Sequence, residues 1–241
     1  MKVLTMFVLA VICAAGPACK GGGTTGGSQT ERLAKAIEEA RPMYDALAAI
    51  RAAVPAPAAM QARACPIEEM KSAAGNRPFL LKLTWNDLVE TTGEDGLRTD
   101  ADAKLGVFGQ LTESRFSTLN GPRPELWKYP NPGLLGEAFE RFRTYKFAAI
   151  VYPTQVKEPL VGGNVFTPGS AEAWVLIFRL EDAALLCADR MRAENDDSIS
   201  YNVRTVGDMT AAQQSSVREN LKKHVDAAVA ELIKTMTGGM R

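Results

Sequence analysis

Little in this sequence could carry acid–base chemistry near neutral pH: its 241 residues include one histidine, His224, and four cysteines. Nucleophilic catalysis needs a nucleophile beside a base, and histidine is the usual base in that pH range. His224 stands three residues after Leu221, at the edge of an apolar helical stripe, where a half-buried structural role is expected. Neither the G-x-S-x-G elbow of hydrolases nor a P-loop is present. Net charge is missing too, because Lys+Arg and Asp+Glu both number 28. That balance leaves no basic footprint for a nucleic-acid partner. Aromatic residues are only 7%, yet 46% hydrophobic and 23% charged residues are ordinary globular values. They exclude wholesale disorder, collagen-like repeats and a polytopic membrane protein.

One apolar run stands out at the N-terminus. Lys2 is followed by Val3 to Ala15, a stretch that would rise about 20 Å as a helix. That is too short to span a bilayer and right for the hydrophobic region of a signal peptide. Gly16-Pro17-Ala18-Cys19-Lys20 and then Gly21-Gly22-Gly23-Thr24-Thr25-Gly26-Gly27-Ser28 follow. This arrangement resembles a bacterial lipoprotein, with a degenerate lipobox in which Gly16 stands where Leu, Val or Ile is usual. The resemblance implies a signal peptide over 1–18, cleavage after Ala18 and acyl chains such as palmitate on Cys19. It places the protein in the bacterial cell envelope, with Lys20 after the cysteine favouring the outer membrane, facing the periplasm. The alternative is a soluble periplasmic or secreted protein. Residues 19–29 then form a Gly-rich tether of roughly 15–20 Å, and more than one acyl chain satisfies the requirement for stable anchoring.

Cysteine arithmetic follows from that address. With Cys13 in the discarded peptide and Cys19 under lipid, Cys65 and Cys187 remain and form a candidate disulfide in an oxidising periplasm. The alternative is two buried thiols that never meet. With one distant histidine they have no metal-ligand spacing. No cofactor is expected.

The remainder, 30–241, reads as a single α+β domain. Leu33, Ile37, Ala40, Tyr44 and Leu47 recur at helical steps, with Pro42 expected to kink or split the helix and Val54-Pro55-Ala56-Pro57 to end it. A second helical stretch around Met60–Ser72 is expected to start at Ile67 after Cys65-Pro66. Phe79 to Leu83 fits either a strand or a buried helical turn, and Leu134 to Arg143 a helix. Tyr145 to Tyr152 reads as a strand ended by Pro153, and Ala173 to Leu180 as a central strand covered on both faces. Glu181-Asp182 turns the chain into an antiparallel partner from Ala183 to Arg192, and Ile199, Tyr201 and Val203 alternate as a fourth strand. The expected sheet is antiparallel, of about four or five strands, with a meander in the C-terminal half. The final helix is the clearest pattern: Val217, Leu221, Val225, Ala228, Leu232 and Met236 form its stripe, widened by Val229 and Ile233. Asp208 or Thr210 would cap it and Gly238-Gly239 stop it. This long amphipathic helix and the N-terminal helices are expected to pack on the sheet.

Asp95, Asp100 and Asp102 loosely resemble a calcium loop, but Lys104 and Leu111 occupy positions that need oxygen donors. Glu194-Asn195-Asp196-Asp197 fits a hairpin turn. Trp127 and Tyr129, in a Pro-rich loop, are candidate binding residues that stack a sugar ring or meet a protein, or else pin the loop to the core. The favoured reading is a lipid-anchored envelope protein with a non-catalytic binding or assembly role, touching the membrane through its lipid and an envelope protein or glycan through its domain. The alternatives are an envelope hydrolase with a Ser or carboxylate site, and an accessory subunit of a secretion or surface-assembly system.

Overall fold

The computed structural model describes residues 29–74, 80–92, 143–162, 165–199 and 209–239. In chain order these carry α1 (Gln29–Ala53), a 3-10 turn (Pro57–Ala59), α2 (Ile67–Ala74), β1 (Leu80–Thr84), α3 (Trp85–Thr92), β2 (Phe147–Lys157), β3 (Leu160–Gly162), β4 (Val165–Thr167), β5 (Ser170–Arg179), β6 (Leu185–Glu194) and α4 (Met209–Met236). The fold is α+β. A four-stranded sheet has the order β1-β2-β5-β6, and β3 pairs with β4 as a small separate hairpin.

The sheet is buried on both faces, and strand alternation explains how. Ala148 and Ile150 of β2 and Trp174, Leu176 and Phe178 of β5 face one core cluster, which contains Leu47 and Ile50 of α1 and Leu88 of α3. Their neighbours Phe147, Ala149, Val151, Ala173, Val175 and Ile177 face a second cluster, closed by Leu221, Val225, Val229 and Ile233 of α4. Each large side chain so buried contributes about 1.5–3 kcal/mol. The near-continuous apolar run of β5 is therefore the central strand it reads as. In α4 the fully buried line is Val217, Leu221, Val225, Val229, Ile233 and Met236, while Ala228 and Leu232 lie partly buried beside it.

The structure departs from the sequence pattern at several points. β1 pairs with β2 in parallel, so the sheet is mixed; β2, β5 and β6 are mutually antiparallel. Helix α1 runs unbroken through Pro42. Pro42 is exposed, and the turn after it is held by the buried Leu47 and Ile50, so the lost hydrogen bond does not split the helix. Nor does Pro153 end β2: the register shifts between Pro153 and Gln155, and that irregularity absorbs the missing donor. Thr210 lies inside α4 rather than at its cap. Gly238 and Gly239 do close α4, with φ of +64° and +83°. Leu134 to Phe142, the alternating residues Tyr201 and Val203, and Asp208 lie outside the described residues, and Ile199 is not in a strand.

Between α1 and α2 the chain changes faces. Met60 packs in the first cluster, whereas Cys65 and Met70 pack in the second, so the strap between them crosses the edge of the sheet at β6. There Arg63 and Ala188 exchange backbone hydrogen bonds at 2.8 and 3.2 Å. One step further, Cys65 and Cys187 are joined by a disulfide with their Cα atoms 4.7 Å apart.

Candidate functional site

The first cluster's face carries a cross-strand row of larger polar and aromatic groups. Register places Tyr152 of β2 opposite Trp174 of β5, and Trp174 opposite Arg190 of β6. Successive strands thus line the three side chains up on one face. The guanidinium carbon of Arg190 stands 4.5 Å from the centroid of the buried Trp174 ring, a cation–π contact. At the other end Trp85 meets Tyr152, with ring centroids 5.1 Å apart and planes tilted by 51°.

Local sequence fixes the position of Trp85. Thr84 ends β1 and caps α3: its amide and hydroxyl donate to Asp87 Oδ2 at 2.9 and 2.6 Å, and the Asp87 amide donates to Thr84 Oγ1 at 3.1 Å. This reciprocal cap starts the helix at Trp85 without a loop. In the next row Arg192 lies opposite Glu172 and also donates through Nε to Glu194 Oε1 at 3.0 Å. Those carboxylates, Glu194 first, hold the Arg192 guanidinium further above its usual value. In the row through Trp174, Trp85 and Tyr152 are partly buried against the first cluster, and Arg190 is exposed. Aromatic rings beside a cation can stack against the flat face of a ligand.

A second polar cluster ties the end of β6 to α4. The Glu194–Asp197 stretch reads as a hairpin turn, but Asn195 is buried and acts as a joint. Its Oδ1 accepts from the Gly169 amide at 2.8 Å, and its Nδ2 donates to the Val217 carbonyl at 2.7 Å and to Asn220 Oδ1 at 3.0 Å. Asn220 donates in turn to Asp196 Oδ2 at 2.8 Å, and His224 Nε2 lies 3.1 Å from Asp196 Oδ1. The Asn220 amide first and then His224 hold the Asp196 carboxyl below its ordinary value. His224 is half-exposed and spoken for by a carboxylate, as its place on the stripe suggests.

Of the residues singled out by sequence, Cys65 and Cys187 are brought together. Cys19, Trp127, Tyr129 and the acidic stretch Asp95, Asp100 and Asp102 lie outside the described residues. Among the described residues no group of three His, Cys, Asp or Glu side chains is placed to hold a metal ion. Sequence reasoning missed the Trp85–Tyr152–Trp174–Arg190 row. Part of it was accessible, since Thr84-Trp85-Asn86-Asp87 is a capping-box pattern. The rest depends on strand register. In comparisons with known proteins, no family model matches the chain, and neither does any curated protein or solved structure.

Proposed function

We propose that this chain is a lipid-anchored protein of the bacterial cell envelope, held through Cys19 to the outer membrane and facing the periplasm, and that its domain works by binding rather than catalysis. The observation that carries the reading is the Cys65–Cys187 disulfide, since such bonds persist in oxidising compartments and are rare in the cytosol. The signal-peptide pattern and the Gly-rich tether lead to the same address. The binding role is supported by the Trp85–Tyr152–Trp174–Arg190 row, whose aromatic faces and cation suit a glycan of the envelope.

Two measurements test this. Mass spectrometry of the native protein should find an N-terminal acylated Cys19, and Cys19→Ala should release the protein from the membrane fraction; an intact N-terminal Met in cytosolic fractions would refute the address. Affinity electrophoresis through purified envelope polysaccharide should retard the wild-type protein, and Trp85→Ala or Arg190→Ala should abolish the retardation. Equal mobility of all three would refute the glycan site.

A further inference from the structure

The two sulfurs of the Cys65–Cys187 bond sit in unlike surroundings. Cys187 is fully buried. It belongs to β6, where it stands opposite Ile177 of β5, and it packs in the second cluster with Leu221 and Val225 of α4. Uncovering its sulfur requires α4 to lift from the sheet or β6 to leave β5, and either opens the core. Cys65 is only partly buried, and it lies on the strap, whose residues Gln61, Ala62, Arg63 and Ala64 are all exposed. The strap is joined to β6 by the Arg63–Ala188 backbone pair and by Arg63 Nη1, which donates to the Leu185 carbonyl at 3.3 Å. Opening the strap around Cys65 therefore breaks far less structure than opening the sheet around Cys187, and local openings of a folded chain draw on its weakly held segments.

Which sulfur is reachable decides how such a bond exchanges. Exchange is attack by a thiolate on one sulfur, and its rate depends on access to that sulfur. We infer that Cys65 is the sulfur at which an external dithiol–disulfide protein makes and breaks this bond, with Cys187 as the internal thiol that completes each exchange. In formation, the Cys65 thiolate attacks the partner's disulfide; a mixed disulfide forms and the partner's second sulfur leaves as a thiolate. The Cys187 thiolate then attacks Cys65 Sγ and the mixed bond breaks. The partner departs as a dithiol, carrying two electrons from the chain and the two protons that the chain's thiols gave up. Reduction runs the same steps backwards, with its electrons supplied by the partner's dithiol. The second step of formation is intramolecular, and the Arg63–Ala188 pair, two residues from Cys65 and one from Cys187, keeps the reacting sulfurs side by side. The exposed residues ahead of Cys65 leave the partner room to approach.

Dithiothreitol, added to the purified full chain without denaturant, supplies the external dithiol. The reduced chain is pulsed with N-ethylmaleimide, and labelling is read at each cysteine by peptide mass spectrometry. Cys65 is expected to label roughly tenfold faster than Cys187 or more, with the circular dichroism spectrum unchanged, and the difference to vanish in urea. Single variants read the mixed-disulfide step: with oxidised glutathione as the probe, Cys187→Ala is expected to take up glutathione at Cys65, whereas Cys65→Ala leaves Cys187 unmodified. Equal labelling of the two sulfurs in the folded chain overturns the inference. So does reduction that proceeds only in urea, or glutathione uptake at Cys187 in a Cys65→Ala chain that keeps the wild-type spectrum.

Discussion

Removing the disulfide tests how the strap is held. Cys65 and Cys187 are 122 residues apart, and in the chain-entropy treatment a cross-link over a loop of that length stabilises by about 5 kcal/mol at 25 °C. Replacing both residues with Ala removes the bond while leaving small apolar side chains where Cys187 is fully buried. The Arg63–Ala188 hydrogen bonds and the ion pair between Glu69 of α2 and Arg179 of β5 remain to guide the strap. The domain is therefore expected to fold, with a melting temperature lower by roughly 10–20 °C, taking about 2–4 °C per kcal/mol for domains of this size. The unfolded chain also becomes less constrained, so the urea m-value is expected to rise. The assay is thermal and urea unfolding followed by circular dichroism, with and without reductant. Reduced wild type should coincide with the double Ala variant, and reductant should leave that variant unaffected. A fall of less than about 3 °C would show that packing alone holds the strap and refute the assignment of its stability to the cross-link.

Asn195→Ala strips the buried joint between β6, Gly169 and α4 and is expected to destabilise by about 2–3 kcal/mol, because the Gly169 amide and the Val217 carbonyl lose their partner; a loss under about 0.5 kcal/mol in urea titration, against that scale, would mean water replaces it freely. Ala183, in the turn between β5 and β6, holds a φ of +54° that side-chain-bearing residues resist, so Ala183→Gly should stabilise by about 1 kcal/mol; no shift in the urea midpoint would contradict this. Asp226 on α4 has a buried Oδ1 without a hydrogen-bond partner among the described residues, and burial, with Glu219 adding to it against Lys222, pushes its carboxyl above the usual value. A raised acid contributes stability below its unfolded value of about 3.9 and loses it as pH rises through the folded value. Asp226→Asn should therefore raise the urea midpoint at pH 7 and raise it much less at pH values below the unfolded value; an equal gain at both pH values would refute that cause.

What could be read from the sequence was decided by how local the determining interactions are. The α4 stripe, the β5 run and the glycine stop at Gly238-Gly239 each depend on residues within a few positions, and all three are present. The prolines misled, because their effect depends on surroundings: Pro42 lies exposed in a helix anchored downstream, and Pro153 sits where β2 shifts register. The parallel pairing of β1 with β2 brings Leu80 beside Phe147, a long-range contact that no local pattern encodes. The same holds for the aromatic row, whose members 85, 152, 174 and 190 become neighbours only through three strand registers and one helix cap. The disulfide belongs with these: the sequence leaves Cys65 and Cys187 either bridged or as two separate buried thiols, and only the fold, by bringing residues 122 positions apart together, decides between them.

The two faces of the sheet lend themselves to different work, and Arg190 is where the division becomes testable. The face under α4 is closed by an unbroken apolar stripe and can hold only core. On the other face α1 and α3 cover the end near Leu81, Leu83 and Phe178, while the end bearing Glu172, Arg190 and Arg192 keeps charged side chains outward. The row on this end uses the Arg190 side chain over Trp174, so Arg190→Ala should abolish the glycan retardation expected of it while leaving the circular dichroism spectrum unchanged. Retained retardation would place the glycan elsewhere, and a changed spectrum would show that Arg190 holds Trp174 in the fold instead.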